Sequence, residues 1–110
     1  MSEEIQEIQR VLSRAPKLAS LSTELLFKDI WERPELNKRD RSLITVAALL
    51  ALYRPEQLPF HLSLARQNGV RDEEMSELIT HLAFYAGWPA AHSALLAFDR
   101  LIIAGSNEEK

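Results

Sequence analysis

An all-α fold, a bundle of about six helices in one domain over residues 1–110, is what this sequence predicts, on three observations. Glycine occurs only at positions 69, 87 and 105 and proline only at 16, 34, 55, 59 and 89, nearly all between segments whose apolar residues recur at helical spacing. The longest apolar run, Leu43 to Tyr53, is rich in alanine and too long for an ordinary strand. No segment sustains the apolar and polar alternation of a half-buried strand.

The elements follow in order. Ile5, Ile8, Val11 and Leu12 form the apolar stripe of a first helix that stops at Ala15-Pro16. Leu18, Leu21, Leu25 and Leu26 are in phase, with Ile30 behind them, and predict a second helix from about Ser22 to Glu32, ended by Pro34. Asn37 is a good N-cap for a third, with Asp40 three residues on in a variant of the capping box. Its run LITVAALLALY is apolar on nearly every side, which marks a helix central to the core or to an oligomer interface.

The fourth helix is expected to start between Pro55 and Pro59, because a proline five positions into a helix removes a hydrogen bond. Leu58, Leu62 and Ala65 carry it to the stop at Asn68-Gly69. Asp72 is the expected cap of the fifth, followed by acids that suit the positive end of the helix dipole. Met75, Leu78, Ile79, Leu82 and Ala86 form its buried stripe, and Gly87 ends it. Pro89 suits the first position of the last helix, with Ala94, Ala97, Phe98 and Leu101 inward until Gly105.

Composition narrows the function. Thirteen Lys and Arg against 16 Asp and Glu give a formal charge of −3, which lacks the basic field that neutralises phosphates, so nucleic acid is not an expected partner. The longest apolar run is far below the roughly 18 residues of a membrane span, and the opening MSEEIQEIQR is acidic where a secretory signal is basic. A soluble, cytoplasmic protein is expected. Cysteine is absent. That excludes disulfides, thiolate catalysis and cysteine-held metal clusters. The three histidines are 20 and 11 residues apart without an HExxH or paired-carboxylate pattern, so no metal is expected either.

Few polar residues stand in apolar settings. His81, in LITHLAFYAGWPA, lies four residues before Tyr85, so imidazole and phenol project from one helix face. His61 stands between Phe60 and Leu62, four residues after Gln57 and seven after Arg54. A lone histidine among apolar residues is more often a hydrogen-bonded core or interface residue, Tyr85 and Trp88 more often core aromatics than substrate contacts, and His92 among alanines has a weaker functional case still. Arg39 and Arg41 flank Asp40 at a helix start, where they are either solvated charge or a carboxylate site.

From Trp31 to Leu101 the order of motifs resembles the carboxymuconolactone decarboxylase family. The matching pieces are FKDIWERPELNKRDRSLITVAALLAL and LPFHLSLARQNGVRDEEMSELITHLAFYAGWPAA, with a core over residues 31–101. The resemblance is closest to the gamma-carboxymuconolactone decarboxylase branch of protocatechuate breakdown. It implies the alkylhydroperoxidase-like helical fold, a homo-oligomer of trimers or hexamers, and sites near subunit contacts. The family's peroxidase branch uses a CxxC pair before a histidine and a glutamate upstream. Counted from His61, those cysteine positions hold Arg54 and Gln57 and the glutamate position holds Ser42, so thiol peroxidase chemistry is excluded.

The reaction the resemblance implies is that of a carboxy-lyase, converting 4-carboxymuconolactone to 3-oxoadipate enol-lactone and CO2 without a cofactor. The electrons left by CO2 delocalise onto the lactone carbonyl as a dienolate, and a proton then returns to carbon. By the same resemblance, Arg39, Arg41 and Arg54 hold the substrate carboxylates. His81, oriented by Tyr85, and His61 divide between them polarisation of the carbonyl and proton delivery. Ser42 either hydrogen-bonds substrate or caps and packs, and Trp88 with Phe84 supplies a dry wall. Two other readings stay open: a paralogue acting on another small lactone or oxo-acid, and a non-catalytic oligomeric binding module.

Overall fold

The computed structural model describes residues 3–108, with helical side chains described from Gln6 to Gly105, so Ile5 of the first predicted stripe lies outside the described side chains. All regular structure among these residues is helical, and the chain packs as two compact units, Met1–Lys38 and Arg39–Lys110.

In the first unit α1 (Glu3–Leu12) is followed by α2 (Pro16–Leu21), a π-helical turn (Ser22–Phe27) and a 3-10 turn (Ile30–Glu32). The second helix therefore starts six residues before the predicted Ser22. Pro16 both interrupts α1 and occupies the first turn of α2, where its missing N–H and fixed φ cost nothing. The π turn also breaks the 3.6-residue phase that the leucine stripe requires. Leu18, Leu21, Leu25, Leu26 and Ile30 are all exposed within the chain. Trp31 is buried, its ring stacked on Phe27 with centroids 5.8 Å apart.

The second unit carries the hydrophobic core. It is formed by α3 (Lys38–Ala51), a 3-10 turn (Pro55–Gln57), α4 (Leu58–Gln67), α5 (Asp72–Ala86) and α6 (Trp88–Glu108). Val46 and Leu50 of α3, Leu62 of α4, Ile79 of α5, and Ala94 and Phe98 of α6 meet in one buried cluster. The predicted stripes of α4, α5 and α6 all face it. Alanine at 90, 91 and 94 lets α6 approach its neighbours closely. No helix among the described residues is long and apolar enough to cross a membrane.

The ends of these helices show how the chain turns. At Gly69, φ is 97°, the Gly69 N–H donates to Arg66 O at 3.1 Å, and the Val70 N–H donates to Ala65 O at 2.9 Å. That is a Schellman end, and it buries Val70 against the helix it closes. The end of α3 is built the same way on a residue with a side chain: Tyr53 has φ 58°, with Tyr53 N–H to Leu50 O at 3.1 Å and Arg54 N–H to Leu49 O at 2.8 Å. A Cβ is unfavourable there, and Tyr53 is exposed. Tyr53→Gly is expected to raise stability by about 0.5–1 kcal/mol in urea denaturation. A loss of stability would mean that the tyrosine ring makes a contact worth more than the strain.

Two expectations for the last helices are corrected. Asp72 is the first residue of α5 rather than its cap. Its carboxylate is held by Arg66, Nε at 3.0 Å and Nη2 at 2.8 Å, while Glu74 accepts the Arg71 N–H at 3.0 Å and closes the helix start. Gly105 does not end α6, which runs on to Glu108. The positive-φ glycines are 69 and 87. Glycine permits a left-handed stop without imposing one.

Candidate functional site

Burial of Leu58 and Leu62 on the core side of α4 sets His61 beside the core, half-buried and edge-on to Phe60, with ring centroids 5.0 Å apart and planes at 89°. Its Nδ1 is buried. Desolvation holds the imidazole below its ordinary value of 6.5, so it is neutral at neutral pH, able to donate from one nitrogen and accept at the other.

The shift has a consequence for stability. As pH falls below about 6.5, the unfolded chain takes up a proton at position 61 that the folded chain resists, so folding stability declines down to the lower folded value and is flat beneath it. His61→Asn is expected to remove this part of the acid loss. Urea titrations of both proteins between pH 7.5 and 5 check it, and equal slopes would overturn it.

On α5, the four-residue spacing brings His81 and Tyr85 together as predicted, ring centroids 5.0 Å apart and planes inclined at 34°. Both are exposed, Tyr85 at 79%. One position round, Phe84 and Trp88 meet edge to face at 5.4 Å and are 73% and 65% exposed. The dry wall expected of these two rings is thus not enclosed within a single chain.

A cavity of about 280 Å³ opens between α5 and α6, lined by residues including Ile79, Thr80, Phe84, Trp88, His92 and Leu95. It takes in Trp88 and Phe84, the two rings expected as a dry wall, and none of His61, His81, Tyr85, Ser42 or the arginines. His81 and Tyr85 each follow a lining residue by one position, which turns them about 100° round α5 from Thr80 and Phe84.

The arginines differ in what they are free to do. Arg39 is ion-paired with Glu74 of α5 and lies 3.3 Å from Asp40, so its guanidinium is already matched by carboxylates. Arg41 is half-buried, and its carbonyl accepts the Thr45 hydroxyl at 2.7 Å. Arg54 folds back on the end of α3, donating to Leu52 O at 3.0 Å and Tyr53 O at 3.3 Å. Ser42 is 1% exposed and accepts the Asn68 side-chain N–H at 2.9 Å. That hydrogen bond ties α3 to the turn between α4 and α5.

Glu74 and Asn68 carry no local sequence signal of their roles, although each partners a predicted site residue. Their partners are 35 and 26 residues away, beyond any local pattern. His92 and Thr80 are equally inconspicuous in the sequence, because it is the packing of α5 on α6 that brings them to one cavity. Asp72 is held below the usual carboxylate range by its hydrogen bonds from Arg66, an exposed pair that closes the α4–α5 turn rather than a site.

Residues 16–100 match the Carboxymuconolactone decarboxylase family, and the chain belongs to that family. It is 46% identical over 67 residues to a 4-carboxymuconolactone decarboxylase of Acinetobacter baylyi, a match covering 61% of this chain and 50% of the relative. It is 32% identical over 82 residues to the nitrosuccinic acid decarboxylase npaB of Metarhizium robertsii, covering 74% of this chain and 57% of the relative. The chain spans about half the length of the curated relatives it matches.

Proposed function

We propose that the protein is a carboxy-lyase that decarboxylates 4-carboxymuconolactone to 3-oxoadipate enol-lactone and CO2. The observation that carries this reading is the 46% identity over 67 residues with a relative of that name. The substrate is its own electron sink, so the chemistry asked of the protein is modest. The C–C bond to the carboxylate breaks, its electron pair moves through the ring double bond onto the lactone oxygen, and one proton is returned to carbon. No cofactor enters this scheme.

Each task has a candidate. His81 with Tyr85 beside it donates to the developing oxyanion or delivers the proton, and His61, neutral through burial, takes the other role. Arg41 and Arg54 hold carboxylates, joined by Arg39 when Glu74 releases it. Ser42 acts through packing, and Trp88 offers its ring to the substrate. Exposure of Phe84, Tyr85 and Trp88 in the single chain supports a homo-oligomer, trimer or hexamer, in which another copy covers these rings and keeps water out. Cytoplasmic residence belongs to the same reading.

The purified protein is expected to release CO2 from 4-carboxymuconolactone without added metal, with the enol-lactone appearing in equal amount. Release no faster than background overturns the reading. The 32% identity to a nitrosuccinic acid decarboxylase favours a second reading, a family member acting on another small acid, and the same CO2 assay on a panel of such acids separates the two.

A further inference from the structure

We propose that Asn68-Gly69 is a self-modification site, an asparagine that converts to aspartate or isoaspartate, and that the turn between α4 and α5 holds it closed while the second unit is folded. Asn68 is the one asparagine of three that glycine follows. Without a Cβ beside it, the glycine nitrogen of an open chain reaches the preceding side-chain amide with least hindrance. Gly69 N loses its proton and bonds to Asn68 Cγ, the Cγ–Nδ2 bond breaks, and ammonia leaves behind a five-membered succinimide. Water, the only reagent consumed, then opens that ring at either carbonyl. One opening gives aspartate; the other gives isoaspartate, whose backbone runs through the former side chain.

Three features of the fold oppose ring closure. At Asn68 ψ is 7°, which sets Gly69 N beside the backbone N of Asn68; closure needs it beside the side chain, roughly a third of a turn away. That rotation breaks the Gly69 N–H bond to Arg66 O and the Val70 N–H bond to Ala65 O, and it draws buried Val70 out of the core. The Asn68 amide itself is anchored to α3, its Nδ2 donating to buried Ser42 Oγ at 2.9 Å. Reaction therefore requires the turn to open. The two products then part ways. Aspartate leaves the backbone unchanged, and the Ser42 hydroxyl can donate to the new carboxylate. Isoaspartate adds a carbon to the chain between the last carbonyls of α4 and the Val70 N–H, so the paired bonds of the turn lose register and it stays open. Each isoaspartate is a covalent record of one opening and withdraws that chain from refolding. The site stands on this geometry alone and is independent of the decarboxylase reading.

The full chain is incubated at mildly alkaline pH in buffer and in urea sufficient to unfold it. Peptide mapping by mass spectrometry follows the mass gain of amide-to-acid conversion at Asn68, with Asn37, which Lys38 follows, as the internal standard. In urea Asn68 is expected to convert well ahead of Asn37. In buffer its conversion is expected to be about 10²-fold slower or more, because only chains with an open turn react. Ser42→Ala is expected to raise the rate in buffer about 2- to 10-fold, the loss of one hydrogen bond that only the closed turn makes, and to leave the rate in urea unchanged. When urea is removed from converted protein, aspartate chains are expected in the folded fraction and isoaspartate chains in the unfolded one. Equal rates in buffer and urea, no conversion at Asn68 in urea, or a rate in buffer that Ser42→Ala does not move overturns the proposal. Isoaspartate chains that refold as wild type does would overturn the covalent record.

Discussion

His81→Ala is expected to lower kcat for 4-carboxymuconolactone by about 10²–10⁴-fold, the range for loss of a placed general acid or base, with KM little changed. The variant is informative because of where His81 sits. It is exposed on α5 and its ring contact is with Tyr85, so truncation opens no cavity in the core. Thermal midpoint and helical content are expected to match wild type, which assigns the lost rate to chemistry rather than to folding. Tyr85→Phe keeps the ring beside the imidazole and removes the hydroxyl, so a smaller loss is expected from it. Wild-type turnover by His81→Ala would pass the acid role to His61 and leave the α5 pair as surface aromatics.

The His81–Tyr85 pair is legible in the sequence because its origin is local: four residues along a helix are neighbours whatever the helix packs against. The same holds for the stop at Gly69, where an Asn-Gly pair announces a left-handed residue and φ is 97°. Tyr53 adopts the same kind of conformation at 58°, and nothing in its identity announces it, since the Schellman bonds of α3 impose it from behind. Gly105 is the converse, a permitted stop that the helix ignores. Asp72 has the composition of a cap, but Arg66, six residues earlier, holds its carboxylate. The leucine stripe of the first unit breaks down because a π turn at Ser22–Phe27 alters the period on which such stripes depend. Sites made by packing are the least legible. Thr80 and His92 reach one cavity because alanines bring α6 close to its neighbours, and the Arg39–Glu74 pair joins the starts of α3 and α5.

Ser42→Glu is expected to destabilise the second unit by about 3–5 kcal/mol in urea denaturation, against about 1 kcal/mol for Ser42→Ala. Position 42 is where the family's peroxidase branch would hold a glutamate, yet here the side chain is 1% exposed and its one hydroxyl accepts from Asn68 at 2.9 Å. Glutamate replaces the hydroxyl with one further methylene and a carboxyl group at a buried position tied to the α4–α5 turn, so overpacking and desolvation add together. Alanine removes one hydrogen bond, and half-buried Asn68 can turn its amide toward water. A stable Ser42→Glu protein would show that the site retains room for an acid, and that cysteines at positions 54 and 57 are all that thiol chemistry lacks. The expected instability means the opposite. Peroxidase chemistry is barred here by core packing at Ser42 as well as by the missing thiols, and the triple replacement is expected to unfold before it can be assayed.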